Sequence, residues 1–363
     1  MLTNFPLYKL PLYYINKRYN YCSALPLSAV FVTTWQCNLK CRTCFIWKHT
    51  YVQNEELTLE EYEKIFRSFG RTYWVTLGGG EPFLREDFLE IALALCRHVT
   101  PRIVNIVSNG SQPDAIYDAI TKLQRAYPEI RFILNLSLDH IGQRHDEIRM
   151  KEGSFSLVCE TVKKLQSVKP RNFVIGLYTI ISQYNVDDFE SIYNWIQDNI
   201  RPDTYAIEDA QIREEFKNSQ GIFVPKRYDY LKTVKFYLDR LKSERPKGVN
   251  ILKKAFRIVY YKTIMGSLAF NEQPYNCYAG YSACQINPNG EVWSCATKGF
   301  KLGNLKQHNY NFKELWFSPE ANQIRKKMKE EKCCCCLSNM VYTNTLIIPR
   351  YLISLLRNLI QYC

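Results

Sequence analysis

The stretch "SAVFVTTWQCNLKCRTC" (residues 28–44) decides the fold. Its first part, "SAVFVTT" (28–34), is short, apolar and β-branched, which predicts a buried strand. Its second part sets Cys37, Cys41 and Cys44 in a Cx3CxxC spacing directly behind that strand. Five further segments read as strands in the same way, at 72–77, 102–107, 131–139, 172–181 and 203–208. Helix-like segments separate them at 58–69, 86–98, 113–126, 154–168 and 187–199, and the first opens with Thr58 and Glu61 in capping-box spacing. Six alternations of strand and helix predict a parallel sheet with helices outside it. Its right-handed connections let such a sheet curl into a full or partial barrel. Chemistry then sits at the C-terminal ends of the strands, which is where the cysteines fall.

Three thiolates within eight residues can wrap one face of a compact metal centre. As soft donors they favour iron–sulfur clusters, zinc or copper(I). A structural zinc or a fully ligated cluster takes four protein ligands, so three leave one metal position open to a small molecule. His49 as a fourth ligand would instead close a zinc site. "GGGEP" (Gly78 to Pro82) follows the second predicted strand. Its glycines allow backbone to approach a ligand without Cβ clashes, and Glu81 adds a carboxylate suited to an ammonium group. The bland alternative is a plain strand-to-helix turn.

In this order, the two motifs resemble those of the radical S-adenosylmethionine (SAM) superfamily. The resemblance implies an α/β fold, a partial (β/α)6 TIM-like barrel. It implies a 4Fe–4S cluster on Cys37, Cys41 and Cys44, with SAM on the fourth iron, and a loop of Gly78, Gly79, Gly80 and Glu81 that holds the SAM amino group. The implied reaction is reductive cleavage of SAM to a 5′-deoxyadenosyl radical that abstracts hydrogen from a substrate. Thr43 stands where the family often has an aromatic residue, which weakens a packing contact to adenine rather than iron ligation. "SNG" (108–110), "SLDH" (137–140), "HDEIR" (145–149) and "GSF" (153–155) resemble members that carry auxiliary-cluster domains. By that resemblance Ser137 and Arg149 contact the ribose and carboxylate of SAM. Taken singly, they read as a strand-end hydroxyl and a surface ion-pair partner. No glycine-rich SAM motif is evident on the fifth strand, 172–181.

Of fourteen cysteines, ten fall at 37–44 and 277–336, and the N-terminus shows no secretory h-region. Such clustering speaks for metal binding and a reducing, cytoplasmic setting over disulfide stapling. The formal net charge of +13 fits a nucleic acid, an anionic membrane surface or an acidic substrate. With no recognition-helix motif, a zinc-dependent nucleic-acid-binding protein is the weaker alternative and no nucleic-acid partner is expected. An iron–sulfur carrier or scaffold without SAM turnover is the other alternative.

The expected organisation is an N-terminal arm (1–27), the barrel core (28–210), a helical connector (211–270), a small α+β auxiliary-cluster domain (271–340) and an amphipathic C-terminal helix (341–363). Cys277 to Cys295 spell Cx12Gx4C around Gly290, which resembles the opening of SPASM and twitch domains, with "NPNG" (287–290) as a hairpin turn. The Cx2Cx5Cx3C block of a full SPASM domain is missing. The resemblance therefore implies one auxiliary 4Fe–4S cluster, held by Cys277, Cys295 and two residues of the run Cys333–Cys336. Cys333 and Cys336 have the best bite, and a zinc ribbon would use the same residues. Cys284 has no assigned role, and Cys22, Cys96, Cys159 and Cys363 read as incidental thiols.

The resemblance further implies a flavodoxin- or ferredoxin-like electron donor and a peptide, lipid-linked or small-molecule substrate. Only 36 residues precede Cys37, too few for the leader-binding domain of peptide maturases, so a peptide would need a separate recognition protein or another docking surface. "YLISLLRNLIQY" (351–362) places Leu352, Leu355, Leu356, Leu359 and Ile360 on one helical face. It is too short to span a bilayer, which needs ~20 residues, and would pack on the barrel or lie along a membrane surface as a peripheral contact.

Overall fold

Six parallel strands lie side by side in chain order: β1 (Ser28–Val32), β2 (Trp74–Gly78), β3 (Ile103–Ser108), β4 (Arg131–Ser137), β5 (Phe173–Ile181) and β6 (Thr204–Asp209). The structure, a computed structural model, describes residues 9–49, 55–168, 172–217, 223–245, 249–270, 277–330 and 337–362. Between the strands run α2 (Leu59–Phe69), α3 (Phe88–Val99), α4 (Pro113–Ala126), α5 (Gln143–Arg149), α6 (Ser154–Val168) and α7 (Phe189–Asn199). The outward residues of the strands, such as Leu77, Ile106, Leu134 and Leu177, are fully buried in the main core beneath these helices. Period-two alternation leaves the other face to line the barrel interior.

The predicted capping box opens α2: Glu61 N–H donates to Thr58 Oγ1 at 3.3 Å, and Thr58 N–H donates to Glu61 Oε2 at 2.8 Å. Helix α5 contains the "HDEIR" segment, 145–149. There the Asp146 carboxylate accepts from Gly153 N, Ser154 Oγ and Phe155 N, each at 2.8 Å, and so satisfies the first turn of α6.

The strands of the C-terminal region join the same sheet. Strand β7 (Ala283–Ile286) pairs parallel with β1, Ser28 opposite Ala283, and β8 (Glu291–Trp293) and β9 (Lys301–Asn304) continue antiparallel. One nine-stranded sheet results, because the β7 segment, "ACQI", is buried on both faces and needs a neighbour on each side. "NPNG" forms the expected turn, with Gly290 N–H donating to Asn287 O at 2.9 Å and Gly290 at φ +84°. Beyond β9 follow α10 (Phe312–Trp316) and α11 (Pro319–Met328). From α11 the fully buried Arg325 donates to the carbonyls of Gly280 (2.6 Å) and Trp316 (2.8 Å).

The connector does more than connect. It holds α8 (Arg227–Ser243) and α9 (Val249–Phe270), and Tyr261 of α9 both accepts from Ile207 N (3.0 Å) and donates to Ile207 O (3.1 Å). This side chain satisfies the open edge of β6, which would otherwise invite strand pairing. The N-terminal arm is likewise structured: α1 (Leu10–Tyr19) buries Leu10 and Tyr13 against Tyr278 and Ile347.

Helix α12 (Ser338–Ile347) leads into α13 (Pro349–Tyr362). The apolar face expected of α13 is divided. Leu352, Leu355 and Leu359 pack with Ala255 and Val259 of α9, whereas Ile353, Leu356 and Ile360 are 49%, 49% and 79% exposed. Among the described residues no helix is long and apolar enough to cross a membrane.

Candidate functional site

A cavity of about 470 Å³ runs the length of the barrel. At its C-terminal rim Cys37, Cys41 and Cys44 line it together with Gly79, Gly80 and Arg149. Arg149 is 8% exposed, pairs with Asp139 at 2.8 Å, and directs Nη1 at Cys41 Sγ, 3.7 Å away. Asp139 is itself fixed by Ile180 N–H, which donates to Oδ1 at 3.0 Å. Arg149 is thus a buried group of the cavity wall, where its chemistry alone suggested a surface partner. Its Nε has no hydrogen-bond partner. Ser137, also on the cavity wall, stands opposite Tyr178 of β5.

The cysteine loop is tied down on several sides. Asn38 Nδ2 donates to Ser111 Oγ at 2.8 Å, Asn109 Nδ2 donates to Asn38 Oδ1 at 2.9 Å, and Arg42 N–H donates to Ile148 O at 2.9 Å. These bonds join the loop to the end of β3 and to α5. Burial pushes the Cys37 thiol up to about 12 and raises Cys41 and Cys44 as well, so thiolates here require a cation to pair with.

Two features of "GGGEP" differ from expectation. The glycines make room for the protein's own backbone. A Cβ on Gly80 would stand 2.1 Å from Gln36 O, and one on Gly79 2.5 Å from Thr34 O. Gly80 N–H donates to Thr34 O and Glu81 N–H to Gln36 O, both at 2.8 Å, so the loop pairs with the chain that leads into Cys37. Gly78 is outside the cavity lining, and its Cβ would meet nothing closer than 3.9 Å.

Glu81 is fully buried, outside that lining, and accepts from Asn109 N (2.7 Å), Ser108 Oγ (2.9 Å) and Phe83 N (3.2 Å). Its carboxylate braces the end of β3, with two donors on Oε1 and one on Oε2. His49 is not placed as a fourth metal ligand. Its ring stacks on Trp35 at 4.3 Å, and its Nε2 lies 2.9 Å from Glu215 O.

Among the described residues no group of three or more His, Cys, Asp or Glu side chains, Cys37, Cys41 and Cys44 included, is drawn together closely enough to hold a single metal ion. Three thiols opening on one cavity, beside a buried guanidinium with an orphan Nε, fit a centre that keeps a coordination position for a second ligand. The polar residues of the interior had no motif to mark them. Asn135 Nδ2 donates to Asn105 Oδ1 at 2.7 Å, Asn105 Nδ2 reaches Thr76 Oγ1 at 3.4 Å, and Glu208 pairs with Arg213 at 2.9 Å. Their only sequence signal was a polar residue at an inward position of an otherwise apolar strand.

Cys277 and Cys295 of the second cysteine group meet at the far end of the barrel. Cys295 is buried with Ala279, Ala283, Leu337 and Met340, and Cys277 and Met328 pack against the same cluster. The expected ligand set also includes Cys333 and Cys336. Those two residues lie outside the described ones. Cys284 sits on β7 opposite Ala29, fully in the main core with its thiol pushed up by burial, and is not part of this group.

Residues 31–196 match the radical SAM superfamily, and residues 277–337 match the SPASM iron–sulfur cluster-binding domain. The chain is similar to the antilisterial bacteriocin subtilosin biosynthesis protein AlbA of Bacillus subtilis, 23% identical over 322 residues. That match covers 83% of this chain and 61% of AlbA. In fold it is similar to Streptococcus suis SuiB bound to SAM, with a TM-score of 0.59 at 16% identity over 86% of this chain and 70% of SuiB. It is also similar to anSMEcpe with bound AdoMet and Cp18Cys peptide, with a TM-score of 0.58 at 15% identity over 93% of this chain and 96% of that one.

Proposed function

We propose, for a chain that belongs to the radical SAM superfamily and carries a SPASM domain, that it modifies a peptide by hydrogen-atom abstraction inside the barrel. The observation that carries this reading is the single cavity wall on which Cys37, Cys41, Cys44 and Arg149 stand together. A radical SAM domain binds a 4Fe–4S cluster and SAM, and a SPASM domain binds further clusters. When bound, the cluster and SAM supply one-electron cleavage of the sulfonium to methionine and a 5′-deoxyadenosyl radical.

The residues of this chain do the rest. Cys37, Cys41 and Cys44 would hold the iron, and Asp139 fixes the Arg149 guanidinium beside Cys41, where it offsets thiolate charge. Arg149 Nε and the Ser137 hydroxyl would take polar groups of SAM. Asn38, Asn109 and Glu81 hold the two rim loops in register, and α9 and α12 wall the lumen from water. The peptide substrate is supported by AlbA, a bacteriocin biosynthesis protein, and by the fold shared with SuiB, which has been solved with precursor peptide SuiA at a TM-score of 0.58.

Anaerobic protein loaded with iron and sulfide should convert SAM and dithionite to 5′-deoxyadenosine, read by liquid chromatography and mass spectrometry. A preparation with a full iron complement and no 5′-deoxyadenosine would remove the reading. The auxiliary cluster would rest on Cys277, Cys295 and the Cys333–Cys336 run. Cys295→Ala protein should accordingly still form 5′-deoxyadenosine while modified peptide falls to background. Normal product from that variant would exclude an essential auxiliary cluster.

The exposed stripe Ile353, Leu356 and Ile360, flanked by exposed Arg350 and Arg357, supports contact with an anionic membrane surface. Sedimentation with phosphatidylglycerol vesicles should drop several-fold when all three apolar residues become Ser. Equal sedimentation of the variant would leave the stripe without that role.

A further inference from the structure

We infer that the floor of the barrel is a recognition site for a substrate group with an apolar body and an anionic end, a deepening that rests on the reaction assigned to the rim above it. The cavity does not stop at the rim. It passes the polar band of Asn105 and Asn135 and continues to the N-terminal ends of the strands. There Trp74, Ile103, Ile133 and Val174 line it from four successive strands. Ile103, Ile133 and Val174 form an apolar cluster of their own, apart from the main core beneath the helices. Phe256 and Leu252 of α9 face the same space.

The lower end is basic. A second cavity of about 350 Å³ shares Thr204, Lys253 and Arg257 with the first, and adds Arg245 and Lys254. Four cations there face two carboxylates, Asp203 and Glu244. Lys254 is engaged by the carbonyls that end α8, Lys242 O at 2.9 Å and Glu244 O at 2.7 Å, and Asp203 accepts from Ile175 N at 3.0 Å. Arg257 is held at the junction of the two cavities by its bond to Thr204 Oγ1. A neutral apolar ligand would gain nothing from these cations, and a small inorganic anion nothing from the Ile–Val–Trp layer. An aliphatic or aromatic group that ends in a carboxylate uses both.

The carboxylate can belong to a peptide or to a free alkyl acid, and binding separates the two sources. Iron-loaded, SAM-saturated full chain would be titrated calorimetrically with acetyl-Leu-Leu-Phe as free acid and as amide, and with octanoate and octan-1-ol. In at least one pair the acid should bind about ten-fold more tightly than its neutral partner, the expected worth of one charge-assisted contact. The pair that shows the preference names the source. Joint Lys253→Gln and Arg257→Gln substitution should bring the ratio near one. Equal binding of acid and neutral partner in both wild-type pairs overturns the inference without any variant, as does a preference that survives a folded double variant. 5′-Deoxyadenosine formed by the same wild-type preparation keeps the two readings apart: its presence with no acid preference removes the floor site alone, and its absence removes the rim chemistry.

Discussion

Gly80→Ala protein should lose both stability and its capacity to hold iron at the Cys37 loop, whereas Gly78→Ala should be close to wild type. The first substitution puts a methyl carbon 2.1 Å from Gln36 O and 2.6 Å from Gln36 C. Those atoms are backbone, so no side-chain rotation relieves the overlap. The segment from Thr34 to Gln36 must move, and with it the chain that enters Cys37. Overpacking of this kind costs ~3 kcal/mol or more at the upper end of its range. At Gly78 the nearest atom is 3.9 Å away, and the cost should stay within about 0.5 kcal/mol. Denaturant midpoints and iron content of the two variants, purified side by side, check this. Equal behaviour would mean that the two rim loops are not packed as described.

Cys41→Ala should abolish SAM cleavage while leaving the barrel folded. Cys41 is 6% exposed and faces both the cavity and Arg149, so its loss removes one of the three proposed ligands and strands a buried guanidinium with one partner fewer. Groups that merely orient metal ligands are worth ~10–100-fold in affinity or activity. Loss of a ligand from a set of three should exceed ~100-fold and bring 5′-deoxyadenosine to background. Far-ultraviolet circular dichroism should stay near wild type, because the strands of the barrel do not depend on this loop. Undiminished cleavage would show that the thiol is not a ligand.

The six strands and five of the interstrand helices were legible because each carries one unambiguous period, and the Thr58–Glu61 cap fell where its spacing said. The chemistry at the rim was legible in outline from Cys37, Cys41, Cys44 and the following glycines. What those glycines do was not. Their need arises from a neighbour 44 residues earlier in the chain, Gln36 against Gly80, and no local pattern reports such a contact. Glu81 illustrates the same limit: nothing local to the motif reports that its carboxylate also accepts from Ser108, Asn109 and Phe83.

The junction of β7 with β1 was hidden for another reason. "ACQI" is only four residues long, too short to show its period, and its partner lies more than 250 residues away. The inward layers were missed because Asn105, Asn135 and Glu208 interrupt apolar strands singly, and only the register of the sheet reveals that they meet across one lumen.

Electron paramagnetic resonance of the dithionite-reduced, iron-loaded chain, recorded with and without SAM, tests the three-ligand centre most directly. A cluster held by Cys37, Cys41 and Cys44 alone should show a reduced iron–sulfur signal whose g-values move when SAM is added. A signal indifferent to SAM, or zinc in place of iron after anaerobic purification, would contradict it.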